Sequence, residues 1–118
     1  MAITKVDVVF QASSANVAGG TTTGTGVDLT LGYGCSVNVR MTNGISAPTL
    51  ACNCYIQVSN DNADWYEYAV VYGNITASSV VEESVIIGKE HQYVRTVFKD
   101  NTGQTVTVEA DGSNITGV

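Results

Sequence analysis

The sequence predicts an all-β chain: a single antiparallel β-sandwich, jelly-roll or immunoglobulin-like, with an extended amino-terminal arm or loop. Three observations carry this. Apolar and polar residues alternate with period two, most cleanly in Cys35-Ser36-Val37-Asn38-Val39-Arg40-Met41-Thr42. Such runs recur at regular spacing, parted by Gly, Asn, Ser and Thr, the pattern of a sandwich or closed barrel. No window of ten or more positions places apolar residues at helical spacing.

Residues 3–11 open the chain as a strand, and 11–26, QASSANVAGGTTTGTG, break the alternation. This stretch is too small and polar to fill a core, so it reads as a long loop or an arm lying on a neighbour. Residues 1–118 thus form one domain, with 1–26 a strand plus a Gly/Thr-rich arm or loop and 27–118 the sandwich body. Further strands are predicted at 27–31, 35–42, 50–59, 65–72, 79–87, 92–99, 104–110 and 113–116. In 35–42 the inward set is Cys35, Val37, Val39 and Met41; in 104–110 it is Val106, Val108 and Ala110. Asn43-Gly44 and Pro48 mark a loop between the third and fourth strands, with Ile45 at its tip. Residues 56–71 and 93–110 each read as a β-hairpin, bent at Ser59-Asn60-Asp61-Asn62-Ala63-Asp64 and at Asp100-Asn101-Thr102-Gly103.

A chain of 118 residues buries roughly two thirds of its unfolded surface in one core. Eleven acidic residues against five basic ones give a net charge of −6. Lys5, Arg40, Lys89, Arg95 and Lys99 are scattered, which argues against a nucleic-acid footprint. No run approaches the ~20 apolar residues of a membrane span, so neither nucleic acid nor membrane is an expected partner. MAITKVDVVFQ lacks the basic start and apolar core of a signal peptide. Synthesis and use in a cytoplasm, or exit by a non-secretory route, is the expectation, and the sequons at Asn74 and Asn114 then carry no glycan.

Cys35, Cys52 and Cys54 are odd in number, which speaks against a disulfide framework. Leu50, Cys52, Cys54, Ile56 and Val58 share one strand face, where cysteine behaves as a small buried hydrophobe. With His91 the three could be written as a zinc set, but C-x-C within a strand lacks the turn that wraps an ion. The Asn60–Asp64 run has the composition of a calcium loop without its glycine and later glutamate. No metal and no cofactor is expected. Catalysis fares no better. His91 is alone at a strand entrance, Glu82 and Glu83 point to opposite faces, and the glycines between 19 and 26 have neither a lysine nor a following helix to hold phosphate. The chain reads as a non-enzyme with no catalytic residues. Among the aromatics, alternation puts Trp65 and Glu67 on one face and Tyr66 and Tyr68 on the other. Tyr66 and Tyr68 are expected in the core, with Trp65 covering a sandwich edge.

SNDNADWYEYA, following Tyr55-Ile56-Gln57-Val58, resembles the S-N-D-G-x-x-W turn common in small β-sandwich proteins of tailed bacteriophages. Tyr93-Val94-Arg95, Val97-Phe98 and Asn101 to Ala110 resemble the closing strings of the same group, and VNVRMTNGISAPTL resembles its V-x-V-x-x-T-N-G-x-x-x-P-T pattern. The resemblance spans about Gly32 to Ala110; the usual turn glycine is replaced by Asn62 or Ala63. It implies a virion structural protein, a decoration or cement protein made in the host cytoplasm and bound to the capsid surface. Its partners would be the major capsid protein and copies of itself, as a dimer or trimer. The candidate protein contacts are Val17, Ala18, Ile45 and Trp65. The alternative is a carbohydrate-binding or tail-fibre-associated sandwich module using Trp65 and outward tyrosines as a sugar platform.

Overall fold

The computed structural model describes residues 3–29 and 33–117. All regular structure among them is strand: β1 Thr4–Asn16, β2 Thr22–Thr23, β3 Val27–Asp28, β4 Cys35–Asn43, β5 Asn53–Ser59, β6 Tyr66–Tyr72, β7 Val80–Ile87, β8 Tyr93–Lys99 and β9 Val106–Gly117. A four-stranded sheet runs β1-β9-β4-β7, and a five-stranded sheet runs β2-β8-β5-β6 with β3 also on β8. All pairings are antiparallel.

The topology is a folded ribbon. With the chain doubled back at the β5–β6 turn, β5 pairs β6, β4 pairs β7, β2 and β3 pair β8, and β1 pairs β9. That ribbon, wound into two facing sheets, is a jelly roll; it does not give the strand order of an immunoglobulin sandwich. Only β5 and β6 form a hairpin within one sheet. Apart from the short β2–β3 link, which stays alongside β8, every other connection between the described strands crosses between sheets.

The core sits between the two inner faces. Cys35, Val37, Val39 and Met41 face inward from β4, Val106, Val108 and Ala110 from β9, and Cys52, Cys54, Ile56 and Val58 from β5 and the residue just before it; all are buried. The binary code of these central strands is legible because neighbours flank them on both sides. Phe10 completes the core from β1 and lies against Gly112, where a side chain would collide with the Ser36 carbonyl and the Phe10 ring. The three thiols are free and buried. Burial pushes Cys35 up to about 11, and burial with the nearby Asp100 charge pushes Cys52 to about 12. Cys54 is raised as well, chiefly by burial.

Several expectations are corrected. Residues 93–110 are not a hairpin: β8 and β9 belong to different sheets. The linking turn redirects the chain, with Asp100 at φ 85° and Gly103 at φ 83° and the Asn101 side chain buried between them. Residues 11–26 are half strand and half loop. β1 continues to Asn16, and Thr22–Thr23 then lies along β8, because small residues fit close to an edge that larger ones would block. The predicted strands at 104–110 and 113–116 are one strand, since Gly112 lets β9 run unbroken between β1 and β4. Of the predicted strand 27–31, Val27–Asp28 pairs with β8, and positions 30 and 31 lie outside the described residues. Leu50 is exposed rather than inward, held in an isolated bridge to Thr102. Tyr66 and Tyr68 are not core residues either. β6 is the outermost strand of its sheet, and a register shift follows the Ile56–Ala69 pair. Tyr66 is left 69% exposed. Tyr68 instead crosses the open side of the sandwich, donating to the Ile86 carbonyl at 3.1 Å and meeting His91 edge-on.

Candidate interaction surface

The strand directions collect two sets of loops at opposite ends of the sandwich. At the first end lie the β1–β2 turn, residues 44–52, the β6–β7 loop and the β8–β9 turn. Backbone bonds tie them together: Gly19 N–H to the Asn101 carbonyl, Thr49 N–H to the Thr102 carbonyl and Ser78 N–H to the Gly44 carbonyl, each 2.8 Å. Buried asparagines brace them from below. Asn16 Nδ2 donates to Asn101 Oδ1 at 2.5 Å and to the Gly20 carbonyl at 3.2 Å. Asn101 Nδ2 returns bonds to the Asn16 and Gln104 carbonyls, and Thr22 Oγ1 donates to Asn16 Oδ1. Asn43 Nδ2 similarly reaches the carbonyls of Asn74 and Thr76, each within 3.0 Å. Amides suit this work because each carries donors and an acceptor for stranded loop backbone.

On this braced base, apolar side chains face outward. Ile45 is 93% exposed, and Val17, Leu50 and Ile75 are each more than half exposed. Ala18 is exposed beside Val17. Of the four candidate contacts, the fold therefore brings together Val17, Ala18 and Ile45. Leu50 and Ile75 join them and were missed: Leu50 continues the inward alternation of its run, and Ile75 is hidden within a sequon. Ile75 could have been found as an apolar residue isolated in a turn segment.

Trp65 lies at the other end, after the polar turn between β5 and β6, and is half-buried. The Arg95 guanidinium carbon sits 4.3 Å from its ring centroid, while Arg95 Nε donates to Gln57 Oε1 at 2.8 Å. Its ring also lies against Gly26, where an added side chain would collide with it. One face of the indole is thus taken by a cation, an attraction favoured by the ring's negative face. The turn holds itself. Ser59 Oγ accepts from the N–H groups of Asp61 and Asn62, and Asp61 Oδ1 accepts from those of Ala63 and Asp64. Bonds from Asp64 and Ala63, with Ser59, hold the Asp61 carboxyl down at about 2. Asn62 takes φ 59°, the left-handed conformation asparagine tolerates.

The outer face of the four-stranded sheet carries a shallow depression of about 410 Å³ lined by Asn38, Arg40, Glu82, Ser84, Glu109 and Asp111 among others. Arg40 bridges Glu82 at 2.8 Å and Glu109 at 3.4 Å. Asn38 donates to Asp111 and accepts from Ser84. These polar groups satisfy one another. The Cys/His set is scattered: Cys52 and Cys54 lie toward the braced end and Cys35 and His91 toward the other. No group of three or more His, Cys, Asp or Glu among the described residues could hold a metal ion.

No family model and no curated protein matches the chain. Among solved structures it is similar to a chain of infectious bursal disease virus, Gx strain, at TM-score 0.50 and 11% identity, over 96% of this chain and 32% of that one. It is also similar to a family 16 carbohydrate binding module at TM-score 0.49 and 11% identity, over 81% of this chain and 70% of the module. The chain spans about a third of the viral chain. At this identity the likeness to the viral chain is one of fold alone.

Proposed function

We propose that the chain is a non-enzymatic bacteriophage virion structural protein: a decoration protein on the outer capsid that clamps neighbouring major capsid protein subunits through its braced loop end. The observation that carries this reading is the grouping of Val17, Ile45, Leu50 and Ile75 as exposed tips above buried asparagines. Apolar side chains held on a rigid base lose little entropy on contact, which is what a high-copy clamp needs. The tailed-phage resemblance of residues 32–110 supports the setting. The jelly-roll order adds only analogy, since viral capsid and lectin domains share it. The test is Val17→Asp with Ala18→Asp, and separately Ile45→Asp, in co-sedimentation with particles lacking the protein. Capsid occupancy falls at least tenfold, about 1.4 kcal/mol, with the fold intact. Unchanged occupancy in both variants overturns the assignment of the contact.

A carbohydrate-binding role associated with a tail or fibre is the second reading. It is favoured by Tyr66 and Tyr72, 69% and 70% exposed along the edge strand β6. Loss of glycan retention in Tyr66→Ala with Tyr72→Ala, at unchanged capsid occupancy, distinguishes it.

A further inference from the structure

We infer that the first half of β1 is a self-recognition edge, where two copies of this chain pair antiparallel about a two-fold axis at Val6. β1 ends the order of its sheet, so one flank carries no strand. From Phe10 onward that flank is closed off: Gly24 lies close against the Phe10 carbonyl, and Asn16 bonds Gly20 and Thr22. Residues 3–9 have no such cover among the described residues, and Ile3, Val6 and Val9 are 61%, 50% and 63% exposed. The other long edges are guarded. β7 presents Glu82, Glu83 and Ser84, all exposed, with Glu83 on the inward side of the strand opposite Val39; a charge so placed resists pairing with a foreign strand. β6 has a register shift, and Tyr68 turns across to β7.

The occupant follows from the sequence of the edge, Ile3-Thr4-Lys5-Val6-Asp7-Val8-Val9. In an antiparallel pair about Val6, residue 5 faces residue 7 of the second copy. Lys5 then meets Asp7 twice by symmetry, Ile3 meets Val9 twice, Thr4 meets Val8, and Val6 meets itself. No other axis position puts each charge opposite its complement. The faces agree as well: Lys5, Asp7 and Val9 stand beside Ile115, Ser113 and Asp111 on β9, whereas Val6 and Val8 stand beside Asn114 and Gly112. Directly opposed side chains of an antiparallel pair share a face and are the unit of sheet stabilisation. Neither Lys5 nor Asp7 forms an ion pair among the described residues. The result is an isologous contact that joins two four-stranded sheets into one.

The experiment is sedimentation of the isolated chain across micromolar to submillimolar concentration. Wild type self-associates to a dimer. Lys5→Asp alone and Asp7→Lys alone each weaken association roughly tenfold, because like charges then face each other twice, and the double swap Lys5→Asp with Asp7→Lys restores it. Both positions are exposed, so the monomer fold is unaffected. Independently, Val6→Cys forms an interchain disulfide under mild oxidation, since opposed strand residues fall within disulfide reach. Thr4→Cys alone does not, and the native thiols are buried. Monomeric wild type at every concentration, unaffected single variants, or a double swap that stays weak overturns the inference. No capsid is needed, so its failure leaves the loop-end contact standing.

Discussion

At one end of the sandwich, buried asparagines brace several loops from beneath while isoleucine, leucine and valine face outward. At the other, an exposed turn is held by its own serine and aspartate, and a tryptophan folds down beneath an arginine. Asn16 and Asn101 are 1% and 0% exposed and link segments 85 residues apart, whereas Ser59 and Asp61 are two residues apart. The first end is rigid because distant parts of the chain share its hydrogen bonds; the second is shaped by local chemistry. Apolar tips matter for recognition only where the base is of the first kind.

The largest effect that can break this contrast is at Asn101. Asn101→Ala removes bonds to Asn16 and Gln104 and strands buried polar groups, which costs about 3 kcal/mol. Urea denaturation measures it, and a loss below about 1 kcal/mol would mean the brace is not structural. A smaller effect is expected at Trp65. Trp65→Ala removes a half-buried ring and its Arg95 contact, lowering stability by about 1–2 kcal/mol, without touching capsid occupancy. A matching fall in occupancy would move the contact to the second end.

The smallest effect is the acid response of the Asp61 turn. Its folded-state carboxyl titrates at about 2, below its ordinary value, so the stability it contributes is present above roughly pH 4 and is lost as pH falls toward 2. Asp61→Asn flattens that part of the stability–pH curve: the variant is slightly less stable than wild type at neutral pH and converges with it as pH falls toward 2. The check is thermal melting across the acid range, and an unchanged acid slope would dismiss the turn's role.

How much of this was legible follows the same division. The β5–β6 hairpin and the inward sets of β4 and β9 were readable because turn chemistry and two-fold alternation are local signals. The β8–β9 crossing was not, since its runs alternate just as a hairpin's would and only the buried Asn101 separates the cases. Tyr66, Tyr68 and Leu50 follow the alternation, yet their exposure depends on what lies opposite, which no local pattern records. Val17 and Ile45 stood out as apolar residues among turn formers, but their shared end is a property of topology. Trp65 was singled out with them for its size, and the fold places it apart.

The position of β9 bears on how the chain reaches this state. It follows every other strand in sequence, yet it lies between β1 and β4, so until it is made the sheet is two unconnected pieces. Folding must therefore wait for synthesis of residues 106–117 and then close a contact spanning nearly the whole chain, a slow step for distant strand pairing. During that wait β1 has both flanks open, and a second nascent chain can occupy the place meant for β9. Stabilising β5–β6, which forms early and locally, would not shorten this interval; shortening the path between β1 and β9 by circular permutation would.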